Sequence, residues 1–218
     1  INLHPSLLPR YRGAAPIQWA LINGETETGV SVIAVADRMD AGDIYGQRRV
    51  EILPGEKADE LSRRLAVEGG ELLVEVIKSI ENGTARPVPQ DESRVTTAPR
   101  LKKKDARIDW TIPADAICSR FRGMYPWPGM ETTVVTGKAQ KLLKIHGCRP
   151  VDGDGPPGMV LEAGGDRLIV AAGAGAVRID GLQLEGKRAL PVDTFLRGTP
   201  LQEGSRLGTD RPDDRSRN

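Results

Sequence analysis

Polar and apolar residues alternate from the first position. Asn2 and His4 would fall on one side of a strand, Ile1 and Leu3 on the other. Pro5, Pro9 and Gly13 interrupt the alternation, and residues 14–22 then read as a helix. The β-branched run at 30–35 predicts a second strand, and the alternation at 45–52 a third. Residues 57–82 form a long amphipathic pattern whose expected buried stripe is Leu61, Leu65, Leu72, Leu73, Val76, Ile77 and Ile80, weakened at Gly69-Gly70 and ended by Gly83. From 86 to 107 no apolar period is sustained, so this stretch reads as a linker, with its basic part at 100–109. Beyond it the pattern changes. A short helix at 114–124 and a rigid Pro126-Trp127-Pro128-Gly129 turn precede short strands at 132–135, 141–148, 159–161, 168–171 and 176–184. Strands of that length between glycine-rich turns predict a small β-barrel, with Trp127 as a core or hinge aromatic. The expected division is a first domain over 1–99, a linker over 100–109, a barrel over 110–202 and a charged, disordered tail over 203–218.

Composition narrows the class without naming a chemistry. The 218 residues suit one or two domains, and a net charge of +1 gives no overall field of either sign. No apolar run reaches the length of a membrane span, so no membrane partner is expected. Cys118 and Cys148 lack a C-x-x-C spacing, and His4 and His146 stand far apart in sequence. Free thiols in a reducing cytoplasm are expected, and no metal.

Candidate chemistry gathers near the front. Asn2 offers an amide donor and His4 a proton near neutral pH. Pro5 and Pro9 stiffen Ser6-Leu7-Leu8 into a ledge able to wall a flat ligand. The turn Arg38-Met39-Asp40-Ala41-Gly42-Asp43 supplies two carboxylates, either of which would orient a histidine; Asp43 is the lesser candidate. Lys102, Lys103, Lys104 and Arg107 are cations suited to a phosphate backbone, with Arg120, Arg122, Lys138, Lys141, Lys144, Lys187 and Arg188 as further contacts.

Asn-x-His-x-Ser-Leu-Leu-Pro followed by an Asp-x-Gly turn resembles the formyltransferases that use 10-formyltetrahydrofolate. The longer string from Arg10 to Gln18, Lys104-Asp105-Ala106-Arg107-Ile108-Asp109-Trp110, Pro126-Trp127-Pro128-Gly129, Gly186-Lys187-Arg188-Ala189 and Phe195-Leu196-Arg197-Gly198 resemble the family members that act on methionyl-tRNA. The resemblance implies an α/β fold: a partial Rossmann-like formyltransferase domain followed by a small oligonucleotide-binding-like (OB-like) barrel. It implies Asn2, His4 and Asp40 as the catalytic trio, Ser6, Leu7, Leu8 and Pro9 at the folate, and Lys102, Lys103, Lys104 and Arg107 at the tRNA. The cosubstrate would be 10-formyltetrahydrofolate and the acceptor initiator methionyl-tRNA, in a bacterial cytoplasmic monomer. Met39 and Ala41 depart from the commonest spelling of the turn and read as packing changes. Because the chain opens at Ile1, already at the site, it is expected to be a fragment lacking the front of the catalytic domain. A sugar-amine formyltransferase and a non-catalytic RNA-binding remnant are the competing expectations.

Overall fold

The computed structural model describes residues 1–137 and 139–208, in two units, Ile1–Leu101 and Lys102–Asn218. The first holds a three-stranded sheet of β1 (Asn2–His4), β2 (Glu27–Ile33) and β3 (Ile44–Glu51), in that order and antiparallel throughout. Two helices accompany it, α1 (Pro16–Ile22) and α2 (Ala58–Glu81). Helix α1 starts two residues later than the pattern suggests, with Pro16 at its first position, where a missing N–H costs nothing. Ala15 caps it while donating its own N–H to the Ala98 carbonyl at 3.1 Å.

Helix α2 buries Leu61, Leu65, Gly69, Leu72 and Val76 against the sheet. Leu72 and Val76 lie over Gly46 of β3, where a Cβ would approach them to 3.2 and 3.3 Å. Ile77 and Ile80, expected on the same stripe, are each 40% exposed. Ile77 sits about 100° round the helix from Val76, and Ile80 lies in the helix's last turn, beyond the residues that cover the sheet. Arg48 on β3 reaches across to Glu68, Glu71 and Glu75 at 3.0, 2.7 and 2.7 Å, which holds its guanidinium still more firmly protonated.

The stretch read as a linker from 86 does not leave this unit. Val88 bridges Ile44, Thr97 bridges Arg12, and Ala98 and Leu101 are buried. Short polar segments of this kind carry no periodicity, and only their partners reveal them.

The second unit contains α3 (Ala114–Met124) and strands β4 (Met130–Thr136), β5 (Ala139–Val151), β6 (Val160–Gly164), β7 (Arg167–Ala171) and β8 (Ala176–Leu184). They pair antiparallel in the order β4-β5-β8-β7-β6, and β9 (Leu190–Pro191), which leads into α4 (Val192–Gly198), pairs with β8. The two ends of the sheet are joined by residues 205–208. Val160 donates to Ser205 O at 2.8 Å, Leu207 donates to Gly158 O at 2.8 Å, and Gly208 donates to Thr133 O of β4 at 2.9 Å. This closure makes the sheet a barrel and corrects the expected tail: 203–208 is built into the fold, with Leu207 buried, while 209–218 lies outside the described residues.

Two further expectations change here. Ala106 and Ile108 are buried and Ile108 donates to Glu131 O at 2.9 Å, so the end of the expected linker belongs to this unit. Trp127 is 57% exposed instead of packed, while Phe121 and Met124 in the last turns of α3 are buried.

Candidate active site

His4 is carried at the end of β1 into the interior, where it is 4% exposed and an acceptor stands at each ring nitrogen. Nε2 lies 2.9 Å from the Tyr11 carbonyl. A carbonyl only accepts, so this nitrogen carries a hydrogen. Nδ1 lies 3.5 Å from Asp40 Oδ2, an ion-pair distance when the ring is doubly protonated. The same carboxylate oxygen accepts the Gly13 N–H at 2.9 Å.

Asp40 takes the left-handed region, φ 53°, which Asp tolerates better than most side chains. Two residues on, a Cβ at Gly42 would stand 1.8 Å from the Ala34 carbonyl oxygen. That approach is the physical content of the Asp-x-Gly turn. Asp43 is exposed, its side chain in no hydrogen bond or ion pair among the described residues; its backbone carbonyl accepts Ala34 N–H at 2.9 Å. Met39 is 73% exposed, which overturns its reading as a packing change. Asn2 is exposed, on the His4 side of β1, with its amide in no hydrogen bond among the described residues.

The loop after His4 is bolted down from behind. Ser6 is wholly buried and donates to Arg10 O at 2.6 Å; Leu8 is 3% exposed. Ser31 on β2 receives Leu8 N–H at 3.1 Å and donates to Ser6 O at 2.6 Å, and Gln47 on β3 donates to both Ser31 Oγ and Leu8 O. Ser6 and Leu8 therefore face inward, and Leu7 and Pro9 keep the partly exposed surface of the expected ledge. Leu7 lies over Gly29, where a Cβ would come within 2.5 Å of its Cδ2.

Tyr11 is held as firmly as the histidine it serves. It has φ 63°, its N–H donates to Thr96 Oγ1 at 2.9 Å, and its hydroxyl donates to Glu25 at 2.6 Å while accepting from Asn23 at 3.1 Å. Burial pushes this hydroxyl above its ordinary pKa, and the bond to Glu25 adds to the shift. Arg10 pairs with the same Glu25 and lies 5.2 Å from the ring centroid. Sequence reading missed Tyr11, Glu25, Ser31 and Gln47 as parts of the site, since none shares a motif or a periodic face with His4.

In the second unit Lys102, Lys103, Lys104 and Arg107 are all exposed around a single 3₁₀ turn, Lys103–Ala106. Lys144, Lys187 and Arg188 are exposed; Lys141, Arg120 and Arg122 are half-buried; Lys138 lies outside the described residues. Among the described residues no group of three or more His, Cys, Asp or Glu is placed to hold a metal ion, and no helix is long and apolar enough to cross a membrane.

Family comparison agrees with this architecture. Residues 1–77 match the formyl transferase family and residues 100–200 the formyl transferase C-terminal domain. The chain is 47% identical to the methionyl-tRNA formyltransferase of Solibacter usitatus over 95% of its own length and 66% of that protein. It is 44% identical to that of Geobacter metallireducens, with the same coverage, and 44% identical to that of Sorangium cellulosum over 95% of this chain and 67% of the relative. The chain thus spans about two thirds of the length of the curated relatives it matches.

Among solved structures, HypX from Aquifex aeolicus in complex with tetrahydrofolic acid matches with a TM-score of 0.65 and 22% identity, over 96% of this chain and 38% of that one. An N-formyltransferase from Helicobacter canadensis, solved with folinic acid and dTDP-3-aminofucose, matches with a TM-score of 0.66 and 20% identity, over 82% of this chain and 64% of that one. Sugar formyltransferases are therefore distant neighbours that share the fold, whereas the similarity in sequence lies with the tRNA-directed proteins. The chain belongs to the methionyl-tRNA formyltransferase family.

Proposed function

We propose that the protein containing this chain transfers the formyl group of 10-formyltetrahydrofolate to the amino group of methionine on initiator tRNA, as a monomer in the bacterial cytoplasm. The observation that carries the reading is buried His4 with partly buried Asp40 3.5 Å away, and the open amide of Asn2 on the same side of β1. The folate is supported by the tetrahydrofolic acid bound in HypX, and the acceptor by the names of the relatives.

Formyl transfer forms one C–N bond to the methionine amine and breaks one to the folate nitrogen, with one proton passing from amine to leaving nitrogen. The tetrahedral intermediate carries an oxyanion. Asn2 is the donor to that oxygen, and His4, oriented by the Tyr11 carbonyl and Asp40, moves the proton. Leu7 and Pro9 would present the partly exposed face of the ledge to the folate. Lys102, Lys103, Lys104 and Arg107 would meet the phosphate backbone of the tRNA.

Formylation of charged initiator tRNA by the full-length protein tests the proposal. His4→Ala and Asp40→Asn should each lower kcat by ~100-fold or more, while Asp43→Asn stays within about threefold of wild type. Equal losses at Asp40 and Asp43 would overturn the assignment of the carboxylate, and a fully active His4→Ala the whole scheme.

A further inference from the structure

Gln90 lies in the stretch whose sequence reads as a linker, yet it spends its whole hydrogen-bonding capacity on the Asp40 turn and its support. Its Nε2 donates to Asp40 O at 2.7 Å and to Gly42 O at 2.8 Å. Its Oε1 accepts from Arg12 Nη2 at 2.7 Å and from Arg12 Nε at 3.1 Å. A primary amide has two N–H donors and two lone pairs, and all four are used. The orientation is fixed as well, since a flipped amide would set its oxygen against two carbonyls and its N–H groups against a guanidinium.

Arg12 is itself anchored. It is 9% exposed and donates to Glu92 at 2.9 Å, which draws that carboxyl below its usual range, with Arg38 adding to the effect. The geometry points to Gln90, carried on Arg12, as the positioning residue of Asp40. It grips the carbonyl of Asp40 and that of Gly42 beyond it, and so fixes where a carboxylate on a left-handed backbone can stand relative to His4 and the Gly13 amide. Backbone at φ 53° is costly for a side-chain-bearing residue and persists when its surroundings over-determine it. Two carbonyls gripped by one amide supply that determination.

The kinetic consequence rests on reading His4 and Asp40 as the proton-handling pair, but the positioning has its own readout, because Asp40 Oδ2 receives the Gly13 N–H at 2.9 Å. Hydrogen exchange on the chain itself should show the Gly13 amide exchanging at least ~10-fold faster in both Gln90→Met and Gln90→Glu, as in Asp40→Ala, with the amides of β2 unchanged. Gln90→Glu keeps an acceptor and an ion pair for Arg12 but replaces the donors with an oxygen set against the two carbonyls, so it breaks the grip at unchanged size and decides the matter if Gln90→Met loosens the sheet as a whole. In the full-length protein each Gln90 variant should lose ~10-fold or more in kcat, with KM within about threefold. The double variant Asp40→Ala with Gln90→Met should fall no more than about twofold below Asp40→Ala alone, because Gln90 acts through Asp40. Wild-type protection of Gly13 in Gln90→Glu, or a double variant losing the product of the single losses, would overturn the inference. Faster Gly13 exchange in a protein that has no formyl transfer even as wild type would leave the positioning standing and remove the functional reading.

Discussion

The two acceptors that frame His4 both belong to residues on left-handed backbone, Tyr11 at φ 63° and Asp40 at φ 53°. Each such residue costs ~1–2 kcal/mol, and each is pinned by bonds the rest of the unit supplies: Thr96, Glu25 and Asn23 on Tyr11, Gly13 and Gln90 on Asp40. The site is thus pre-set against local preference, so its orientation should be sensitive to single bonds. Tyr11 allows a test in pH. Its hydroxyl pKa is raised above the ordinary 10.0, first by burial and then by the bond to Glu25. The folded state therefore holds this proton more tightly than the unfolded chain. The stability it confers is fully present below pH ~10 and is lost as pH rises through the raised value. Tyr11→Phe should be less stable by ~1 kcal/mol near neutrality, and the gap from wild type should narrow only above pH ~10. Urea unfolding of both chains across a pH series checks this. A gap that stays constant up to pH ~11 would show that the hydroxyl proton is not what holds the loop.

At the scale of elements, α2 carries two adjacent glycines that look alike in sequence and differ in space. A Cβ at Gly69 would meet Leu3 Cδ2 at 2.7 Å, whereas at Gly70 nothing lies within 4 Å. Alanine is worth ~1 kcal/mol over glycine in a helix, so Gly70→Ala should stabilise the chain by ~0.5–1 kcal/mol. Gly69→Ala should fall short of it by ~1 kcal/mol, since the end of the Leu3 side chain must withdraw from the helix and give up packing there. Chemical denaturation of the two variants separates these outcomes, and equal gains would mean that Leu3 repacks freely. The pattern of the chain made most of the elements legible: α3 fell on the predicted residues, and every strand predicted in the barrel is present. His4 and Asp40 were legible as a pair because His4 ends β1 and Asp40 stands in the turn between β2 and β3, each beside strong local chemistry. Gln90, Arg12 and Ser31 were not, because their roles come from hydrogen bonds to groups far away in sequence, which leave no spacing to read. The exposure of Trp127 was hidden for a related reason: an aromatic between prolines is equally compatible with core and surface, and the local spacing does not decide between them.

Over the whole molecule, each unit carries its own sheet and core, and the closure of the second depends on the last described residues. On the proposed tRNA substrate, replacing the exposed cations Lys102, Lys103 and Lys104 together by alanine should reduce the slope of log K against log salt for tRNA binding by ~0.7–0.9 for each phosphate left without its cation. An unchanged slope would mean that the turn is merely solvated. The barrel itself has a sharper dependence. Residues 205–208 bond to Thr133 of β4 on one side and to Gly158 and Val160 at the start of β6 on the other, so without them β6 and that part of β4 lose their edge partner. Leu207 is 3% exposed, and Gly208 lies so close to Trp110 that a Cβ there would be 2.8 Å from its ring. Leu207→Ala should therefore cost ~2–4 kcal/mol, the usual range for a buried leucine. A chain ending at Gln202 should be far less stable than one ending at Gly208, because the ladder bonds go together with the apolar packing. Trp110 reports the event directly: it is 5% exposed, with its Nε1 bonded to Thr132 Oγ1 at 3.1 Å, and removing the closing segment opens one face of its ring to water. The shorter chain should show red-shifted tryptophan emission at room temperature and a lower, broader thermal transition. Identical emission and midpoint in the two chains would mean that the barrel closes without this segment and that the hydrogen bonds across the seam contribute nothing to its stability.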